Sequence, residues 1–326
     1  MRLCAGLVLA GAVLAVGPLP ASPASGVPAP PRVDRDTTVL HRVVWDQHER
    51  RGTHLWSANP DGTDARKIYE RHTGFVTGIT LNRQGTEAAV APTVLSADHA
   101  ALVVVDVLGA ATPVNLLEDH PEIYSVGAIG WSPSGRKLVF EGAVRSGPRD
   151  LATYLFTVRR DGGGLRRVSA LGHIADPSEI GLHYSLAWTA SGIFRYDGVG
   201  LHVLRHGRDS LVLRGAIRLA ISGDGEWLFV ERRRGQRYAL WRMHPDGSAL
   251  ERLYALNAPG YGYVSAPDEG YTYYWQPSYD GSLMLSQLDG VAPTFEPRVI
   301  AHDATRAPAA ADVVLPFTTI GAITWN

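Results

Sequence analysis

The sequence predicts an all-β fold, a six-bladed β-propeller of four-stranded antiparallel blades closed by its C-terminal strand. Three observations predict it. A hairpin with a Pro-Asp-Gly turn recurs along the chain. A second Gly-containing hairpin recurs in alternation with it. The two ends of the domain each read as part of one blade. Repeats of this kind outrank other local signals, because one repeat is one supersecondary unit that cannot bury its faces alone.

The first repeat is clearest in residues 50–69, RRGTHLWSANPDGTDARKIY, and 233–254, RRGQRYALWRMHPDGSALERLY. The later copy carries two more residues before Leu240. After that Trp56 matches Trp241, Pro60 Pro245, Asp61 Asp246, Gly62 Gly247 and Tyr69 Tyr254. A looser copy, YLFTVRRDGGGLRRV, puts Phe156 in the Trp place and Asp161-Gly162 in the turn. Apolar and polar residues alternate in LWSAN and ARKIY, as in half-buried strands. The glycine between them supplies the positive φ of a tight hairpin.

The second repeat comprises IGWSPSGRKLVFEG (129–142), LAWTASGIFRYDG (186–198), LAISGDGEWLFVE (219–231), QPSYDGSLMLSQ (276–287) and ITLNRQGTEAAV (79–90). In the best-preserved units it precedes the Asp-Gly hairpin, as in 219–254. Together they make a four-stranded antiparallel meander. One such sheet cannot bury both faces, whereas a radial array of them can. First hairpins start near Leu81, Trp131, Trp188, Ile221 and Pro277. The opening strand VLHRVVWDQ (39–47) lacks a first partner, and the closing IGAITWN (320–326) lacks a second strand. The ITWN strand is therefore expected to complete blade 1, which leaves no long open edge.

WSPSGRKLVF followed by LF…RRDGGG, and LW..NPDG..AR.IY, resemble the WD40-like repeats of the TolB-type propeller family. The resemblance runs from about residue 38 to the end and is strongest in blades 1, 3 and 5. It implies a propeller that works by binding. TolB proteins carry a separate α/β domain before the propeller. Here the expected organisation is a signal peptide (1–25), a Pro-rich linker (26–37) and the propeller (38–326), so a role in the Tol–Pal system is not carried over.

The N-terminal expectation rests on Arg2, the apolar run LCAGLVLAGAVLAV and the helix-breaking Pro18 and Pro20. The run is short for a membrane span. Cleavage is expected after Ala24, with Ala21 as a rival site and a retained anchor as the alternative. The single cysteine, Cys4, falls inside this segment, so the mature chain offers no thiol for a disulfide, a nucleophile or a zinc site. A formal net charge of -1 gives no reason to expect nucleic acid or an anionic membrane.

No Gly-x-Ser-x-Gly elbow, P-loop, dinucleotide glycine pattern or His-Glu-x-x-His occurs. No cofactor or metal is implied. Asp61, Asp161 and Asp246 are read as turn builders rather than calcium ligands, since a calcium site needs several converging oxygens. Strand alternation puts both kinds of hairpin on one face, and the inter-blade and mid-blade loops on the other. The long segments 171–185 and 257–275 belong to the second face, and loops on a rigid scaffold commonly carry function.

Two groups on that face are candidates. His72, His120 and His173 follow the outermost strands of three successive blades, with Asp176, Glu179 and His183 in the third loop. They suit metal or acid–base work, but equivalent points on neighbouring blades spread around a ring, which favours solvated loop histidines. Tyr261, Tyr263, Tyr271, Tyr273, Tyr274 and Trp275 form the second group. They suit a binding surface, or an ordinary strand leading into blade 6. Arg50-Arg51 and Arg232-Arg233-Arg234 read as solvated, charge-mixed turns beside Glu49 and Glu231, and a charge swap in the turns of the opposite face, such as Asp64→Arg, is expected to have little effect on ligand capture. The candidate ligand-binding residues are thus Tyr261, Tyr263, Tyr271, Tyr273, His120, His173, His183 and Asp176.

The expected function is that of a secreted, monomeric, non-catalytic scaffold whose loop-rich face engages a protein or an envelope polysaccharide. The alternative is an extracellular carbohydrate-active lyase or hydrolase with its site on the same face.

Overall fold

The Asp-Gly turns owe their shape to local hydrogen bonds that need nothing from the rest of the chain. Asp61 Oδ1 accepts from the Thr63 N–H at 2.9 Å, Asp161 Oδ1 from Gly163 at 2.9 Å and Asp246 Oδ1 from Ser248 at 2.8 Å. Gly62 and Gly247 sit at φ of 83° and 93°, where an L side chain is strained. The same Asp bond recurs at Asp106, to Leu108, and at Asp303, to Thr305, two turns that carry no Pro-Asp-Gly. The carboxylates are occupied in building turns. The other hairpin has its own lock: the Ser132, Ser222 and Ser278 hydroxyls each accept, at 3.0 Å, the N–H of the residue five positions on, and in blade 2 Asn82 Oδ1 accepts from Thr86 at 2.9 Å and Glu87 at 3.3 Å.

The computed structural model describes residues 39–49, 52–71, 75–93, 100–147, 151–174, 185–197, 199–235, 237–256, 264–266, 270–288, 298–307, 313–315 and 323–325. Every element among them is a strand, and none of them forms a helix long and apolar enough to cross a membrane. Blade 1 contains β1 (Val43–Glu49), β2 (Gly52–Ala58) and β3 (Arg66–Arg71). Blade 2 contains β4 (Phe75–Leu81), β5 (Glu87–Thr93), β6 (Val103–Asp106) and β7 (Val114–Asn115). Blade 3 contains β8 (Ile123–Trp131), β9 (Lys137–Arg145), β10 (Leu151–Arg159) and β11 (Arg166–Ile174). Blade 4 contains β12 (Leu186–Thr189), β13 (Gly192–Tyr196), β14 (Gly200–Arg205) and β15 (Arg208–Arg214). Blade 5 contains β16 (Ala216–Ile221), β17 (Leu228–Arg234), β18 (Arg237–Met243) and β19 (Glu251–Leu256). Blade 6 contains β20 (Val264–Ala266), β21 (Gly270–Pro277), β22 (Leu283–Leu288), β23 (Arg298–Asp303) and β24 (Val313–Leu315); β25 (Ile323–Trp325) ends the series.

The sheets are meanders in chain order except the first, whose order is β25-β1-β2-β3. The C-terminal strand closes blade 1 as expected, with Val43 opposite Trp325, Val44 opposite Thr324 and Trp45 opposite Ile323. Each channel-side strand neighbours those of the adjacent blades, β25 lying between β21 and β4. Two details differ from the sequence reading. Blade 6 has five strands, because β20 turns back to pair Val264 with Thr272 of β21. Pairing in β1 begins at Val43 rather than Val39, because the Leu40 N–H donates instead to Gln84 O of blade 2 at 2.8 Å.

The core lies between blades. Leu102 of blade 2 shares one buried apolar cluster with Phe140 and Phe156 of blade 3, and Leu201 of blade 4 shares another with Val230 of blade 5. A buried arginine is built into this frame beneath the blade 1 turn. Arg42, 1% exposed, donates from Nε to Ser57 Oγ, from Nη1 to Asn59 Oδ1 and Asp64 Oδ2, each at 2.9 Å, and from Nη2 to Asp64 O at 3.0 Å. Asp64, in the blade 1 turn, thus neutralises a buried cation.

Three variants test this frame. Deleting 323–326 removes the closing strand and should lower stability by several kcal/mol, on the order of a large core truncation; an unchanged melting temperature would refute closure. Asp64→Ala leaves Arg42 buried without its carboxylate and should lower the denaturant midpoint, and Gly62→Val should cost roughly 1–3 kcal/mol through backbone strain, both measured by denaturant unfolding.

Candidate functional site

The hairpin turns of one face hold each other. Besides Leu40 and Gln84, the Asp224 N–H of blade 5 donates to Tyr279 O of blade 6 at 2.8 Å. Arg205 of blade 4 reaches Pro245 O of blade 5, and Arg66 of blade 1 reaches Leu108 O of blade 2, both at 3.1 Å. The His41 ring meets Tyr279 edge-on at 5.8 Å, joining blade 1 to blade 6. Short turns with their polar groups engaged make this face a stiff rim.

The channel-side strands enclose a cavity of about 290 Å³, lined by β4, β8, β12 and β16 and by Thr324 of β25. Its polar lining includes Thr77, Thr80, Thr189 and Arg218, with Arg83, Asp224 and Glu226 toward the turn face. Burial first, and then the charges of Glu226 and Asp280, hold the Asp224 carboxyl above its ordinary range, against the opposing bonds from the Ser222 hydroxyl and the Glu226 N–H. The channel thus offers hydroxyls and one arginine within it, with Arg83, Asp224 and Glu226 at its turn-face rim.

Of the residues chosen from the sequence, His120, His173, Tyr271 and Tyr273 fall among the described residues. His120 lies between β7 and β8, and its Nδ1 is 3.1 Å from Glu122 Oε1. His173 is on β11, the outermost strand of blade 3, where it pairs with Ala152. Tyr271 and Tyr273 are on channel-side β21 of blade 6, across the ring from blade 3; Tyr271 pairs with Ser265, and Tyr273 falls at a register shift. His72, Asp176, Glu179, His183, Tyr261 and Tyr263 lie outside the described residues, as do Arg50 and Arg51. Among the described residues no three His, Cys, Asp or Glu side chains gather as metal ligands.

One correction concerns Arg232-Arg233-Arg234. Glu231, read as their neutralising neighbour, is 3% exposed and turned into the protein, whereas Arg233, Arg234 and Arg237 are exposed. In a strand, successive side chains point to opposite faces, so adjacency in sequence does not make a charge pair.

The sequence reading missed a polar network at the boundary of blades 3 and 4. Arg195 pairs with Asp209. Asp209 Oδ1 is 3.3 Å from His202 Nδ1, and His202 Nε2 is 2.9 Å from Asp197. Facing Arg195 across the boundary is Glu141, 2% exposed, whose carboxyl burial pushes up to about 8 against the opposing charge of Arg195. Glu141 Oε1, Thr153 Oγ1, Ser125 Oγ and Arg195 Nε are all buried without a hydrogen-bond partner among the described residues. An acidic residue inside the apolar run LVFEGAV was the one available signal.

No family model matches the chain, and the search of curated proteins found no match. Solved structures do share the fold, which is that of a TolB-like β-propeller. TolB from Acinetobacter baumannii superposes with a TM-score of 0.59 at 12% identity, covering 88% of this chain and 67% of that one. A chain of the nidogen/laminin complex gives 0.56 at 9% identity, covering 87% and 97%. Oligogalacturonate lyase in complex with manganese gives 0.51 at 14%, covering 80% and 74%.

The buried carboxyl predicts a pH dependence. The folded value of about 8 lies above the unbound 4.5, so the folded state holds the extra proton between them. The Glu141 contribution is greatest below the lower value and is lost as pH rises through the higher one. Glu141→Gln should therefore gain stability relative to the native protein between pH 5 and pH 8, by on the order of a few kcal/mol, as read from chemical denaturation at each pH. A constant difference across that range would contradict a protonated Glu141.

Proposed function

We propose that this chain is an exported, non-catalytic binding scaffold that engages a protein or cell-envelope ligand through its loop-rich face. The observation that carries this reading is the inequality of the two faces. One is a rim of short turns bonded to one another, and the long segments 171–185 and 257–275 fall to the other. A stiff ring presenting variable segments suits recognition. The likeness to TolB and to a chain solved in a complex with a partner protein supports it at the level of fold. The N-terminal pattern around Arg2 and the following apolar run supports export, and the mature domain begins near Ser25.

The tyrosines of 261–273 supply the contact area on this reading, since their rings are large, stiff and tipped with a hydroxyl. Replacing Tyr261, Tyr263 and Tyr271 together with Ser should preserve the fold and weaken capture of a partner isolated by affinity purification about a hundredfold, if each ring contributes about 1 kcal/mol. Unchanged binding would refute the placement; loss of folding would show the rings to be core.

The likeness to oligogalacturonate lyase supports an alternative, a carbohydrate-active enzyme using the same face. Incubation of the exported protein with acidic oligosaccharides, followed by ultraviolet detection of unsaturated products, distinguishes the two.

A further inference from the structure

The outer edge of blade 4 and the adjoining corner of blade 5 form one continuous surface. The blade 4 edge strand β15 is exposed at every position except Leu213. Leu211 and Val212 are 38% and 36% exposed, and Val199, across the sheet end, 58%. The hairpin preceding β15 turns on His206 and Gly207, both at positive φ, and closes on the pair Arg205 and Arg208. In such a two-residue hairpin the closing pair exchanges its backbone bonds, so the N–H and C=O groups of Asp209 and Leu211 point away from β14. An edge of this kind is a template for another strand.

The loop-face end of that edge is strongly basic. Gly215 donates to Val199 O at 3.0 Å, and the Arg233 N–H to Gly215 O at 2.7 Å. Arg232 Nε donates to Arg214 O at 2.9 Å, which brings the arginines of blade 5 against the end of β15. Arg234 and Arg237 stand directly opposite each other across β17 and β18. Like charges so placed repel, and burial followed by the charge of Arg234 draws Arg232 below the usual guanidinium range. Among the described residues Arg214, Arg232, Arg234 and Arg237 form no ion pair, although the chain as a whole has a net charge of only -1.

We infer that this surface receives an extended acidic segment of a partner protein, which adds to blade 4 as a fifth strand along β15 and sets its carboxylates on Arg214, Arg232, Arg234 and Arg237. Backbone bonds along the edge at Asp209 and Leu211 give the affinity of strand addition, and apolar residues at alternate positions lie on the Leu211 face. Guanidinium forks match carboxylates. Antiparallel pairing places the acidic end of the segment at its N-terminus, beside Arg214. The inference deepens the scaffold reading by naming a partner chemistry and uses none of the tyrosines, so each fails or stands on its own variants.

The test uses the full chain and a fluorescein-labelled peptide, Asp-Glu-Asp-Glu-Thr-Val-Thr-Val-Thr, followed by anisotropy at low and moderate salt. Binding should weaken with salt, fall at least tenfold in R234E/R237E, and fall at least tenfold when alternate backbone nitrogens of the apolar half are methylated. Three results would overturn the inference. These are no binding at millimolar peptide, equal binding by R234E/R237E, and equal binding of the methylated peptide. The last, particularly if oligogalacturonate competes as well as the peptide does, would mark a general polyanion patch. Both arginines are exposed, so the variant should keep the native melting temperature; the methylation comparison uses the unaltered chain and decides the point even if it does not.

Discussion

The pairing of β25 with β1 is the constraint on which the remainder depends. Each blade is a sheet whose two faces are covered only by its neighbours, so every inter-blade core requires a complete ring. Leu102 with Phe140, and Leu201 with Val230, are instances of apolar clusters shared between sheets rather than kept within one. Three residues at the very end of the described chain join the last segment to the first, and the closure holds through backbone hydrogen bonds and the buried Trp45. The channel follows from the same arrangement, since its wall consists of channel-side strands, one of them β25 itself.

Closure leaves the two faces chemically unequal. On one, backbone and side-chain groups of adjacent turns bond laterally, and Arg42 ties the blade 1 turn from beneath through Asp64. Those groups are committed to structure. On the other, Arg214, Arg232, Arg234 and Arg237 have no carboxylate partner among the described residues. Polar groups with no internal partner are the ones free to meet something else, which is why the loop-rich side carries both functional readings of this chain.

The boundary of blades 3 and 4 departs from the apolar pattern of the others. A buried carboxyl, a buried guanidinium and two hydroxyls face one another there with incomplete pairing. Such groups are costly unless paired or neutralised, and protonation of Glu141 is the relief that the environment favours. The proton removes one charge from the boundary while Asp209 answers the other at Arg195.

The sequence by itself determined the hairpins, their order and the closing strand. The reason is locality: an Asp that bonds the N–H two residues on, or a Ser that bonds the N–H five residues on, shapes its turn wherever the chain goes. The half-blades at the two ends were equally legible, because an unpaired strand at one end requires its complement at the other. The tertiary structure alone decided what faces what. Glu231 stands beside Arg232 in sequence yet lies buried while the arginines meet one another. Glu141 meets Arg195 only because β9 and β13 belong to adjacent blades, and Asp64 becomes indispensable only because Arg42 lies beneath it. The extra strand β20 likewise depends on a pairing with β21 that no repeat announces. These are contacts between sheets or across a turn of the chain, set by register and by which face of a strand is turned inward. A linear pattern records the alternation of faces but not which neighbour each face meets.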